Sequence, residues 1–161
     1  MAVDYYLKIG DIDGESAKAG VENFIEVLSW SWGETNSGSS SHGGGAGTGK
    51  VSMQDFSFTM TVNKATPKLL LACAGGDHIA KGELRCREAG KDAQTYLTIK
   101  FTDLLISSYQ IGGSAGDDNK PVDHCSFNYA KIEIEYKAQK KDGTLDSPIK
   151  AGWDLKTGKK V

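Results

Sequence analysis

Ala130–Lys137 reads AKIEIEYK: Ala130, Ile132, Ile134 and Tyr136 fall on one parity, Lys131, Glu133, Glu135 and Lys137 on the other. Side chains of an extended chain point alternately to opposite faces, so this stretch is a β-strand with one buried and one wet face. The same period recurs in both directions from it. Val3, Tyr5, Leu7 and Ile9 alternate with Asp4, Tyr6 and Lys8; Phe56, Phe58, Met60 and Val62 alternate with Ser57, Thr59 and Thr61. Leu97, Ile99 and Phe101 flank Thr98 and Lys100, and Ile149, Ala151, Trp153 and Leu155 flank Lys150, Gly152, Asp154 and Lys156. Around residue 28 the parity puts Phe24, Leu28, Trp30 and Trp32 together, opposite Ile25, Val27, Ser29 and Ser31. Leu84 and Cys86 suggest a further strand, and Leu104–Ile111 another. One polar face per strand is the mark of antiparallel sheet, and about eight or nine short strands predict an all-β barrel or sandwich.

One segment departs toward helix. Thr66 is suited to cap it, Pro67 to its first position, and Lys68–Ala74 to propagate it until Gly75 and Gly76 end it. Two to three turns are marginal alone, so the helix is expected to plug an end of the barrel with Leu69, Leu70 and Cys73. Asn36–Lys50 departs toward no regular structure, with six Gly and four Ser in fifteen residues. It buries too little apolar surface to order itself, and its place between two patterned strands makes it a protruding hairpin arm rather than a linker. The 161 residues suit a single domain spanning 1–161.

Composition narrows the function. Nineteen basic and 21 acidic side chains leave a net charge of −2, unlike the basic excess of nucleic-acid binders. The longest apolar run, Leu69–Ala74, is far short of a membrane span. Asp4, Lys8, Asp11 and Asp13 interrupt any apolar leader, so the chain is expected to begin in the cytoplasm and leave without a cleaved signal. Cys73, Cys86 and Cys125 show no paired spacing, and His42, His78 and His124 lie far apart, so neither a disulfide frame nor a metal site is expected.

Two motifs imitate catalytic ones. Gly44–Lys50 fits G-x-x-x-x-G-K, but Val51 replaces the hydroxyl residue and a strand, not a helix, follows. Gly112–Gly116 fits G-x-S-x-G around Ser114, with Asp123 and His124 downstream, which raises the alternative of a small serine hydrolase using Ser114 and His124. That elbow needs a helix after its serine, whereas Asp117-Asp118-Asn119-Lys120-Pro121 reads as loop. Adjacent Asp123 and His124 would also face opposite ways in a strand. No catalytic, cofactor-binding or metal-ligating residues are therefore assigned, and the chain reads as an assembly or binding protein.

The stretches VDYYLKIGDIDGES, VLSWSWG, GKVSMQDFSFT, ATPKLLLACAGG and AGWDL, taken in order, closely resemble the Hcp (hemolysin-coregulated protein) family of type VI secretion. The resemblance implies a small β-barrel with one helix that closes hexameric rings with copies of itself. It implies rings stacked into the inner tube of a contractile machine, surrounded by a sheath, capped by a spike protein and carrying small secreted effectors. On the same basis the arm residues Ser37, Gly38, Ser39, Ser40, Ser41, His42, Gly43, Gly44, Gly45, Gly47, Gly49 and Lys50 are expected to reach a neighbouring ring. Gly112, Gly113, Ser114, Asp117 and Asp118 form a turn expected to meet the lumen or a neighbouring ring, opposite in charge to the basic Lys156–Lys160 end.

Overall fold

The computed structural model describes residues 2–38, 50–90, 93–116 and 118–161. In chain order the elements are β1 (Val3–Ile9), β2 (Ile25–Val27), β3 (Ser29–Ser31), β4 (Glu34–Asn36), β5 (Val51–Met53), β6 (Phe56–Thr61) and α1 (Thr66–Gly75). They are followed by β7 (His78–Glu88), β8 (Thr95–Gly112), β9 (Val122–Tyr136), β10 (Ile149–Asp154) and β11 (Lys159–Lys160). Every pairing is antiparallel, as the alternation predicts, and the main sheet runs β11-β10-β9-β8-β7-β1-β2. The first half of β9 also takes β6, and β6 takes β3. The sheet thus curls round without one continuous closing ladder. Between β2 and β3 the chain bends at Leu28, leaving β1 for β6, and the Leu28 N–H donates to Thr59 O at 2.8 Å.

That bend corrects the parity read around residue 28. Ile25 and Val27 are buried while Leu28 is 57% exposed, because a strand that changes partner does not carry its facing through the change. A larger break occurs where three strands turn together. The ladders skip Ala80, Asp103 and Ala130, three adjacent positions on β7, β8 and β9, and Asp103 takes a φ of 58°. Inward residues are Ile99 and Phe101 before this line but Leu104 and Ile106 after it; on β9, Cys125, Phe127 and Tyr129 give way to Ile132. What reads in the sequence as two strands, Leu97–Phe101 and Leu104–Ile111, is one strand of 18 residues, creased where the ladders skip a position while the register on either side is unchanged.

The crease lets β8 and β9 serve both walls of the core. Phe56 stacks on Trp30 and Phe127, with ring centroids 5.8 and 5.1 Å away, and meets Phe101 at 5.0 Å. Phe101 meets Phe127 edge-on at 4.9 Å, so aromatic rings bridge the two walls. A satellite cluster of Tyr6, Val21 and Phe24 holds the segment before β2 against the outside. Arg85 lies over the Phe24 ring and donates to Gly20 O at 2.9 Å, and Arg87 donates to Ala19 O at 3.0 Å.

The helix departs from expectation in two details. Its cap position is Ala65, with no side-chain cap bond, and Thr66 lies inside the first turn. The Thr66 hydroxyl accepts from Asn63 N–H at 3.1 Å and donates to Asp123 Oδ2 at 2.6 Å. Leu69 is buried and Cys73 half-buried as expected, joined by Ala65 and Ala72, but Leu70 faces solvent. Gly76 ends the helix in the left-handed region at φ 64°, donating to Ala72 O.

Candidate assembly surfaces

The arm begins as a hairpin outside the main sheet. Glu34 pairs with Met53, Thr35 with Ser52 and Asn36 with Val51, and Ser37 N–H reaches Lys50 O at 3.3 Å. Asn36 Oδ1 accepts from Gly38 N–H at 2.8 Å, and Ser37, Gly38 and Lys50 are exposed. Ser39, Ser40, Ser41, His42, Gly43, Gly44, Gly45, Gly47 and Gly49 lie outside the described residues. Strand β5 follows Lys50, so the phosphate-loop match lacks the helix its chemistry needs. The hairpin is tied to the barrel by a relay in which Trp32 Nε1–H donates to the Tyr129 hydroxyl, which donates to Gln54 O at 3.0 Å. Burial pushes the Tyr129 phenol up to about 12, against the opposing effect of the Trp32 bond.

Between the hairpin base and the β9–β10 face lies a cleft of about 530 Å³, lined chiefly by Trp32, Val51, Met53, Ile132, Ile134 and Trp153. The indole N–H of Trp153 is buried with no acceptor among the described residues. Four residues back along β10, or roughly 13 Å of strand, Ile149 faces Tyr136 across the β9–β10 ladder, and these apolar side chains are 73% and 46% exposed. Strand β11 pairs with β10 at Trp153 and Asp154, and Val161 N–H donates to Gly152 O at 3.1 Å, so the outer edge of Ile149–Ala151 has no ladder partner among the described residues.

The solvent faces of the two walls differ in chemistry. On one, Lys8, Glu83, Lys100 and Glu133 stand side by side in register across β1, β7, β8 and β9, alternating in sign. Glu135 continues the pattern between Lys137 and Lys150, at 3.8 and 3.9 Å. On the other, Ser29, Ser31, Ser57, Thr59, Ser108 and Ser126 line one shallow depression. Their hydroxyls bond each other, Ser29 to Thr59 at 2.6 Å and Ser108 to Ser126 at 2.5 Å. Because the walls pack face to face through the phenylalanines, the charged and hydroxyl faces point away from each other.

The tip of the β8–β9 hairpin carries Gly112, Gly113, Ser114 and Asp118, all exposed; Asp117 lies outside the described residues. The serine-hydrolase alternative needs Ser114, Asp123 and His124 to converge, and they do not. Asp123 is fully buried, its carboxylate accepting from Thr66 Oγ1 at 2.6 Å and the Tyr109 hydroxyl at 3.0 Å. His124, the next residue, is exposed on the opposite face, among the hydroxyls. Asp123 is instead a fastening between helix and barrel, a role that its sequence position gives no sign of, since both partners are distant in the chain. Burial and the Asp123 bond push the Tyr109 phenol up to about 12. The Lys156–Lys160 end is partly engaged: Lys156 Nζ donates to Asp103 Oδ2 at 3.0 Å, and His78 contacts Asp103 Oδ1 at 3.2 Å. The Lys156 bond, then the His78 bond, holds the Asp103 carboxyl below its usual range. Among the described residues no three His, Cys, Asp or Glu side chains gather as metal ligands, and no helix is long and apolar enough to cross a membrane.

A creased antiparallel barrel with one helix among the described residues and a hairpin standing outside its main sheet defines an all-β fold. The family model described as type VI secretion system effector, Hcp, matches residues 6–136. The chain belongs to the Hcp family of type VI secretion. It is 45% identical over 158 residues to protein hcp1 of Pseudomonas aeruginosa, covering 97% of each chain. A solved structure described as a type six secretion system protein superposes with a TM-score of 0.93 at 33% identity, covering 99% of this chain and 100% of that one. Hcp1 of Salmonella typhimurium superposes with a TM-score of 0.80 at 31% identity, covering 99% and 100%.

Proposed function

We propose that the chain acts as a single domain spanning 1–161 and serves as the building unit of a type VI secretion tube. Six copies close a ring, rings stack head to tail, and small effectors travel in the lumen inside a contractile sheath capped by a spike. The chain is made in the cytoplasm and expelled without a cleaved signal. The observation that supports this reading is the β4–β5 hairpin, which lies outside the main sheet and contributes no residue to the buried core, Met53 alone packing against it. A projecting polar arm stabilises its own fold little, and gains a role when it orders against another subunit.

In this reading the hydroxyl face lines the lumen and the charged face looks outward. Hydroxyls make weak, exchangeable bonds with passing cargo, whereas a lattice of fixed charges would hold oppositely charged cargo too long to release. The Gly112–Asp118 tip and the Lys156–Lys160 end help orient one ring on the next. Electron microscopy and light scattering of the purified chain test the proposal. Annuli of six subunits are expected, and deletion of residues 37–49 is expected to keep rings while shortening stacks. A wild-type chain that remains a monomer at micromolar concentration overturns it.

A further inference from the structure

We propose that Cys73 on helix α1 and Cys125 on β9 are a redox pair, free thiols in a reducing compartment and a disulfide outside it that staples the helix to the barrel. Cys125 is buried, Cys73 is half-buried, and both are free here. Their placement follows from the fastening at Asp123. Residues seven apart on a helix return to nearly the same face after two turns, so Cys73 shares the face of Thr66 and of buried Leu69. Thr66 Oγ1 donates to Asp123 Oδ2 at 2.6 Å, and Asp123 precedes Cys125 by two residues, both buried on the inward parity of β9. Helix and strand then advance the same way. Helix α1 starts beside Asp123, the ladder partner of Ile111, and ends just before His78, which pairs with Leu105, the partner of Asn128. Two helical turns advance roughly 10 Å and two strand residues roughly 7 Å, so the thiols are offset by only about 3–4 Å along that direction. Cys73 packs against the core cluster that contains Cys125. Burial, then the Asp123 carboxylate and then Cys73 push the Cys125 thiol up to about 12.

Cys86 provides an internal comparison. It is buried on β7 and pairs with Leu97, whose partner Tyr136 lies from position 125 to position 136 along β9, or roughly 36 Å of strand, away from Cys125. The pair takes from the proposed function only that the chain is made inside the cell and leaves it, because thiols stay reduced in the first setting and disulfides persist in the second. A disulfide needs Cα atoms within about 4.4–6.8 Å, and the helix can close a remaining gap at its free end: Leu70 and Leu71 face solvent, and Gly76 turns the chain in the left-handed region. A low-molecular-weight disulfide is the oxidant. The Cys73 thiol gives its proton to water and its sulfur attacks one sulfur of that disulfide, forming a mixed disulfide and expelling the first small thiolate. The Cys125 thiol then loses its proton, its sulfur attacks Cys73 Sγ, and the second small thiolate leaves. Two protein thiols lose two protons and two electrons, and the small disulfide is reduced to two thiols.

The full-length folded chain is incubated with oxidised glutathione at pH 8 and followed by intact mass, by peptide mapping without reductant and by thermal unfolding, beside Cys125→Ser and Cys86→Ser. Wild type is expected to lose two hydrogens in mass and to yield one peptide pair joined through Cys73 and Cys125 within a single chain. Its Tm is expected to rise by roughly 5–10 °C, as for a disulfide closing a loop of about 50 residues, and to return when reductant is added. Cys86→Ser is expected to behave as wild type, and Cys125→Ser to stop as the glutathione adduct of Cys73. Wild type that stops at that adduct, keeps three free thiols, links Cys86, joins separate chains or forms the Cys73–Cys125 link only in denaturant overturns the pair. None of these readouts requires a ring, so a monomeric chain that forms the link overturns the ring reading and leaves the pair standing.

Discussion

Replacing Asp123 tests the fastening between helix α1 and the barrel most directly. Its carboxylate is 0% exposed and accepts two hydroxyl hydrogen bonds, at 2.6 Å from Thr66 and 3.0 Å from Tyr109. Thr66 is also the first residue of α1, so the negative charge sits at the positive end of the helix. Bonds to a charged acceptor contribute about 1.5–3 kcal/mol each, and the two share one carboxylate and are not independent. Asp123→Asn keeps the shape and one acceptor oxygen but turns an NH₂ toward the other hydroxyl, so a loss of about 2 kcal/mol is expected. Asp123→Ala removes both acceptors and leaves a small cavity, for a loss of about 4 kcal/mol. For a chain of this size those losses lower Tm by roughly 4–8 °C and 8–16 °C. The assay is thermal and urea unfolding at one fixed protein concentration, because self-association raises apparent stability. A cycle with Thr66→Val completes it, with a coupling of about 1 kcal/mol or more expected between the positions. Asn and Ala variants both within about 0.5 kcal/mol of wild type, or strictly additive effects with Thr66→Val, would refute the reasoning.

Phe56→Ala removes the ring at the centre of the aromatic bridge and is expected to cost about 3–5 kcal/mol in urea unfolding. Gly14→Ala places a Cβ 2.5 Å from Phe24 O and from Ile25 Cα, both backbone atoms, so a loss of about 1–3 kcal/mol is expected; an unchanged unfolding midpoint would contradict the close packing. Burial pushes the Cys86 and Cys125 thiols up to about 12, whereas Cys73 is half-buried. Native-state alkylation at pH 8 should therefore label Cys73 first and spare the other two until unfolding, and equal rates at all three would count against it. Tyr109 and Tyr129 are raised to about 12 from 10, so above pH 10 the unfolded chain releases protons that the folded chain keeps. Stability is expected to fall as pH climbs from 10 toward 12, read as a lower urea midpoint at pH 11 than at pH 9.

Period-two alternation was enough to read antiparallel strands from Ala130–Lys137 outward, because facing on a strand is a local consequence of backbone geometry. The β4–β5 pairing joins the two ends of the Asn36–Lys50 segment, whose residues 39–49 lie outside the described residues. The readings that failed all depend on contacts that neighbours in sequence do not set. Leu28 was grouped with Trp30 because parity counting cannot register a bend. Thr66 looked like a cap because its true partner, Asp123, is 57 residues away in the chain. Leu70 looked like core because a run of leucines does not say which of them the helix turns inward.

The resemblance between chemical motifs and working sites also divided along this line. Ser114, Asp123 and His124 follow the order of a hydrolase triad, yet neighbouring residues on a strand point apart, and the ladder sends Asp123 into the core and His124 to solvent. Tyr136 and Ile149 read as ordinary strand alternation on inward parity, yet both are exposed, whereas Trp153 on the same parity of β10 packs against the core.

The amino-acid order by itself determined the class of fold, the helix at Thr66–Gly75 and the family, since these depend on residue type and on spacing within a few positions. The tertiary structure alone decided the crease through Ala80, Asp103 and Ala130, the fastening at Asp123 and the exposure of Tyr136 and Ile149. Each of these arises from residues far apart in the chain meeting across strands, and burial and hydrogen bonding are settled by those meetings rather than by neighbours in sequence.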